Sequence, residues 1–216
     1  MQKLRSESMR QLSPADGEQA AEVLGRAFYR DPLWLYLLPD DTQRAVAVRQ
    51  SFRSFAPWFI RKQQAYGVGE PLAGVAIWGR PNEASAGIAG LINVHLLTLL
   101  ASPLILRFRR VIPIFAQFDV MQRRYAPEPH YYLSTIGVVS EAQGQGLASL
   151  LIKPFLAQAD AQASSTYTET MTPSNVPLYE HYGFRCMEQF DIPETDLSIW
   201  SLYRPAREAA GIDEGF

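Results

Sequence analysis

The 216-residue chain is short of the side chains that build covalent or metal-centred scaffolds. Cys186 is its one cysteine, so no intrachain disulfide can form, and a zinc site built on paired cysteines is excluded. The three histidines, His95, His130 and His181, are scattered, and surface or packing roles suit them better than ligation; no metal is expected. A net charge of -2 gives no electrostatic case for a nucleic-acid partner. Nothing Gly/Ser-rich or charge-rich separates two folding units, which predicts one domain over residues 1–216. The opening residues, MQKLRSESMRQLSPADGEQ, lack the apolar core of a secretory signal, so a reducing, cytoplasmic setting is expected.

What the chain does have is apolar surface to bury: 47% of its residues are hydrophobic and 12% aromatic, enough for a sizeable core. One run, AGLINVHLLTLLASPLILRF at 89–108, has the length of a membrane span. Asn93, His95 and Pro103 interrupt it, which predicts two short buried or interfacial helices meeting near Ser102, with no membrane partner. The basic residues are nearly all arginine, and Arg107, Arg109, Arg110, Arg123 and Arg124 cluster, as either an anion or interface patch or a solvated helix face.

Ser13, Pro14 and Asp16 predict a helix start, because a serine oxygen and an acidic third position satisfy free N–H groups and the helix dipole. Ala20, Val23, Leu24, Ala27 and Phe28 fall on one buried stripe, and Asp31-Pro32 ends it. A second helix is expected from about Thr42 into the sixties, disturbed at Pro57, followed by a strand in AGVAIWGRP (73–81). Residues 82–125 are expected to form a helical wall beside the sheet. HYYLSTIGVV (130–139) reads as a strand whose alternation slips, Tyr131 and Leu133 sharing one parity and Ile136 and Val138 the other, as a β-bulge produces. A helix from Gly146 to about Ala161, kinked at Pro154, a strand at 166–171, a short helix ending at Gly183 and two closing strands complete a mixed α/β sheet.

Between the slipped strand and the helix lies Gln143-Gly144-Gln145-Gly146-Leu147-Ala148. A glycine-rich turn from strand to helix holds an anion, since free N–H groups point outward there and the dipole favours negative charge. The dinucleotide fingerprint would need a following βαβ repeat, and the nucleotide P-loop a Gly-Lys-Ser/Thr ending; this chain has neither. The pattern Gln/Arg-x-x-Gly-x-Gly/Ala is met in register by Gln143, Gly146 and Ala148. With STIGVV before it and NVPLYEHYGF beyond it, the segment resembles the pyrophosphate loop of the GNAT superfamily, the acetyl-CoA-dependent N-acyltransferases. Within that superfamily, residues 130–204 are similar to puromycin N-acetyltransferase and its uncharacterised relatives, Pro154 included, and AFYRDPLWLYLLPDD (27–41) resembles them more loosely. Gln143 stands where arginine is commoner and Ala148 where a second glycine is; 82–125 has no match.

The resemblance implies a GNAT-type mixed, mostly antiparallel sheet with a bulged central strand, flanked by helices, with a helical insertion at 82–125 and the cofactor half at about 130–204. It implies that coenzyme A lies along Ile136, Gly137, Val138 and Val139, with an N–H near Val138 polarising the thioester carbonyl. Gln143, Gly144, Gln145, Gly146, Leu147 and Ala148 would cradle the pyrophosphate, and Asn175 the pantetheine arm. Tyr179 matches the family's general-acid tyrosine, against the alternative of a packing residue. Glu169 would orient or deprotonate the amine, or else hold a loop. Tyr29, Asp31 and Tyr36 would line the acceptor pocket. The expected activity is acetyl transfer from acetyl-CoA to a small-molecule amine, by a monomer or homodimer. A non-catalytic acyl-CoA-binding or sensing module and a protein-acetylating enzyme are the alternatives.

Overall fold

The computed structural model describes residues 8–83 and 110–207. The chain enters through a two-residue strand, β1 (Arg10–Gln11), and a 3-10 turn at Pro14–Asp16 that leads into α1 (Gly17–Ala27). The start signal at Ser13 is met as a capping box with Asp16. The Asp16 carboxylate accepts from the Ser13 N–H and hydroxyl, both at 2.7 Å, and from Arg10. Asp31 ends the segment after α1 as expected, but it also caps a helix the sequence pattern does not announce, α2 (Pro32–Leu37), by accepting from the Leu33 N–H at 3.0 Å. Then follow α3 (Asp41–Arg61, with Pro57 inside it), β2 (Ala65–Val68) and β3 (Gly74–Gly79). Of the 82–125 wall, α4 (Val111–Tyr125) is helical as expected; the segment from 84 to 109, with the reading of 89–108, lies outside the described residues. No helix among the described residues is long and apolar enough to cross a membrane.

The second half runs β4 (Tyr131–Val138), α5 (Leu147–Ala161), β5 (Thr166–Thr170), α6 (Val176–His181), β6 (Arg185–Asp191) and β7 (Ser198–Arg204). The described strands form one seven-stranded sheet in the order β1-β2-β3-β4-β5-β7-β6. Every neighbouring pair is antiparallel except β4 and β5, which run parallel. This is the mixed, mostly antiparallel α/β sheet the sequence predicts, with β1 and β2 added.

The predicted slip in β4 is real. Ile77 pairs with Thr135 but Trp78 with Leu133, so Ser134 is the extra residue of a bulge. The faces flip there: Tyr131 packs on Phe155 of α5 from one side of the bulge, and Val138 borders Gly74 and Leu151 on the same side of the sheet beyond it. On this α5 face Trp78 stacks on Phe155, centroids 4.6 Å apart, and its indole N–H donates to the Leu151 carbonyl at 3.1 Å. The opposite face carries α1 and α3. A Cβ on Gly137 would come within 2.7 Å of the Ala27 Cβ, so glycine is what lets α1 lie against β4. On α5, Leu147, Leu151, Ile152, Phe155, Leu156 and Ala159 are buried.

Two buried arginines fix the ends of this frame. Arg204 of β7 forms a two-pronged ion pair with Asp160 of α5, both contacts 2.7 Å, and donates to the Tyr182 carbonyl. Arg44 of α3 donates to the carbonyls of Tyr29, Leu38 and Pro39, pairs with Asp41, and covers the Tyr29 ring at 4.6 Å. It thereby fastens the loops on either side of α2 to α3.

Candidate functional site

The parallel pairing of β4 with β5 is brief. It covers Tyr131, Tyr132 and Leu133 against Thr166, Tyr167 and Thr168, and then stops at the Ser134 bulge. Beyond that point β5 stays paired with β7, so β4 and β5 part and leave a gap between them. Val139 donates to the carbonyl of Ala73, the residue just before β3, at 3.0 Å. Alternation along the strand therefore turns the Val138 N–H and C=O away from β3, into the gap. The Val138 carbonyl accepts there from the Gln143 side-chain amide at 3.1 Å.

The turn Gln143–Gly146 closes one end of the gap. Gly144 and Gly146 have φ of +75° and +81°, the left-handed region in which residues bearing a Cβ are strained, and a Cβ on either would meet nothing within 4 Å. The loop therefore faces open space. Gln145 folds back onto the Glu141 carbonyl at 3.1 Å, as Gln143 does onto Val138, so both long side chains hold the turn's own backbone. The Gly146 cap has no side-chain bond, leaving the first N–H groups of α5, those of Leu147 and Ala148 among them, to an outside partner. This arrangement can bind an anionic phosphate group.

At the vertex, where β4 and β5 separate, Thr168 donates to the Leu133 carbonyl at 2.9 Å. The Tyr179 hydroxyl, from α6, interacts with Thr168. Tyr179 is 4% exposed and its ring meets Phe184 at 5.7 Å, so it is at once a core residue and a neighbour of the vertex. Burial pushes its phenol up to about 12, the Thr168 contact opposes this, and the charge of Glu169 adds to it. The hydroxyl keeps its proton at neutral pH. Asn175, just before α6, donates to the Thr170 hydroxyl at 3.2 Å, which anchors the turn that carries Tyr179.

Glu169 points to the other face of β5. Burial pushes its carboxyl up to about 8; contacts with the Tyr132 and Tyr167 hydroxyls pull it down, and Asp119 on α4 pushes it up further. Its Oε1 is buried with no hydrogen-bond partner among the described residues. A carboxyl held above its ordinary 4.5 stabilises the fold fully below about pH 4.5, and that contribution is lost as pH rises through about 8. Glu169→Gln should therefore melt several degrees above the parent protein at pH 9 and close to it at pH 4.5. A melting difference that does not change between the two pH values would show that the ionisation of Glu169 is not its cause.

The three residues expected at an acceptor pocket are more dispersed. Tyr36 packs against the apolar cluster of Ile114, Met121, Met171, Ile192, Leu197 and Ile199, which joins α4 to the sheet. The Asp31 carboxylate is occupied in capping α2, and burial pushes it up to about 6. Tyr29 lies under Arg44, its hydroxyl 3.4 Å from the Asp41 carbonyl. Sequence reasoning missed Tyr132, Tyr167, Asp119 and Thr168. Of the arginine cluster, Arg123 and Arg124 are solvent-exposed and pair with Asp119 and Glu188, as a solvated helix face would.

A mixed sheet that opens at a bulged parallel pair beside a glycine turn makes a cleft with an anion-binding end. Residues 121–191 match the acetyltransferase (GNAT) domain family. An uncharacterised N-acetyltransferase of Schizosaccharomyces pombe is 28% identical over 177 residues, 78% of this chain and 70% of that protein. The fold is shared with a crystal structure described as histone acetyltransferase HPA2 and related acetyltransferase from Corynebacterium glutamicum, at a TM-score of 0.61, 23% identity and coverage of 95% and 99% of the two chains. It is also shared with a Drosophila melanogaster polyamine N-acetyltransferase that forms N-acetylagmatine, at a TM-score of 0.63, 10% identity and coverage of 91% and 98%. The matched segment covers about a third of the chain, and together with the N-acetyltransferase relative it supports an acyltransferase.

Proposed function

We propose that the protein transfers the acetyl group of acetyl-CoA to the primary amine of a small molecule, by direct attack of the amine on the thioester. The observation that carries this reading is the β4–β5 gap, which has the Val138 N–H turned away from β3, an open N–H-lined turn at one end, a protonated phenol at the vertex and a carboxyl of raised proton affinity on the far face. The donor, when bound, supplies an activated acyl group with a thiolate leaving group. The N–H groups of the 143–148 turn hold its diphosphate, the Ile136–Val139 backbone aligns its amide arm, and Asn175 steadies the approach. Glu169 takes a proton from the attacking nitrogen at Oε1, and Tyr179 holds a proton for the departing sulfur. Tyr36 and the loop that Arg44 fastens form the acceptor's outer wall, with Tyr29 and Asp31 in that loop.

The narrower likeness to puromycin N-acetyltransferases rests on motifs within 130–204 and suggests an amino-nucleoside-like acceptor. The absence of a possible disulfide fits a cytoplasmic setting. A library of small primary amines, screened for thiol release from acetyl-CoA, tests the reading. At least one amine should give stoichiometric thiol and amide, with kcat rising as pH passes about 8, where Glu169 ionises. Acetyl-CoA binding without thiol release from any amine would point instead to an acyl-CoA sensor.

A further inference from the structure

A row of polar side chains crosses the sheet on the α4 side, at the place where β4 and β5 separate. Tyr132 and Tyr167 stand opposite each other in the parallel register, their rings 6.2 Å apart and inclined at 29°. Glu169, two residues on from Tyr167, shares its face, and Ser201 of β7 is opposite Glu169. The Tyr167 hydroxyl and Ser201 Oγ are 2.9 Å apart in the interior, a fully formed hydrogen bond that fixes the phenol. Both tyrosine hydroxyls also contact the Glu169 carboxylate, and Oε1 has no partner among the described residues.

We infer that Tyr132 and Tyr167 are positioning residues for Glu169: their hydroxyls, the second anchored by Ser201, steady the ionised carboxylate with Oε1 left for the acceptor nitrogen, and set the pH at which it takes up a proton. The inference rests on the reading of Glu169 as the proton acceptor. Other groups around the carboxyl work against its ionisation or are neutral. Asp119 of α4 adds like charge. Tyr179 of α6 feels the charge of Glu169 and stays protonated. Tyr125 of α4 donates to Glu188 at 2.8 Å, and the His130 ring lies 5.9 Å from that of Tyr167, with its own proton affinity lowered by burial. No Lys or Arg among the described residues forms an ion pair with Glu169; Arg123, 3.8 Å from Asp119, is largely in solvent. Among the described residues the two phenols are the groups that favour the ionised carboxylate.

The test is a carbon-13 NMR titration of the full chain labelled at glutamate, the Glu169 Cδ resonance being assigned by its loss in Glu169→Gln. The parent midpoint should lie at about 8. Tyr132→Phe and Tyr167→Phe keep the stacked rings and should each raise it by roughly one pH unit, the loss of one hydrogen bond to a charged group. A rise in only one variant assigns the role to that tyrosine and removes it from the other; unchanged or lowered midpoints in both overturn the inference. The titration uses neither acceptor nor acetyl donor. A turnover profile that keeps its pH dependence in Glu169→Gln would therefore count against Glu169 as the base and leave this measurement standing.

Discussion

Tyr179→Phe is expected to lower kcat by about 100-fold or more, the usual worth of a positioned proton donor, with acetyl-CoA affinity little changed. The structure makes this substitution clean. Phenylalanine keeps the ring that packs on Phe184, and Thr168 keeps its bond to the Leu133 carbonyl, so no buried donor is orphaned. What disappears is one hydroxyl at the vertex of the β4–β5 gap, whose proton burial holds up to about pH 12. A thiolate leaving a site shielded from water needs such a partner, whereas the bound thioester does not, so the loss falls on the transition state. Retained kcat with a lowered melting temperature would make Tyr179 a packing residue only.

The second large effect is expected at the turn. Gly146→Trp should weaken acetyl-CoA binding by at least about tenfold, or 1.4 kcal/mol. A Cβ at Gly146 meets nothing within 4 Å, so the indole would extend into the space in front of the α5 N-terminus, where a diphosphate must approach, and would not press into the core. The positive φ of +81° adds backbone strain of about 1–2 kcal/mol, which Gly146→Ala shares and so controls for. Calorimetry should find Gly146→Ala close to the parent protein and Gly146→Trp well below it. Equal affinity in all three would remove the turn from the donor site.

The parts of the site that sit within one stretch of chain were legible in the sequence. The bulge announced itself through the parity change from Tyr131 and Leu133 to Ile136 and Val138, and the turn through Gly144 and Gly146. What stayed hidden depends on register between distant strands. Tyr132 faces Tyr167 because β4 pairs with β5 at one particular offset, and nothing local in HYYLST or TYTETM specifies it. Ser201 enters only through the β5–β7 pairing. No pattern in the sequence marks Arg44 for burial, which follows from the carbonyls that the loops around α2 bring to it. Four-residue β2 and two-residue β1 are too short for alternation to mark them; the sheet edge they extend is what makes them strands.

The central claim is that acetyl-CoA occupies the gap between β4 and β5 with its diphosphate on the 143–148 turn. Titrating acetyl-CoA into nitrogen-15-labelled protein while following the backbone amides tests it most directly. One equivalent should saturate the shifts, and the largest should fall at Val138, Gly144, Gly146, Leu147 and Ala148, with a smaller change at Tyr179. No saturable shift, or shifts centred elsewhere, such as the arginine-lined hollow of Arg185, Arg204 and Arg207 at the far end of β7, would contradict it.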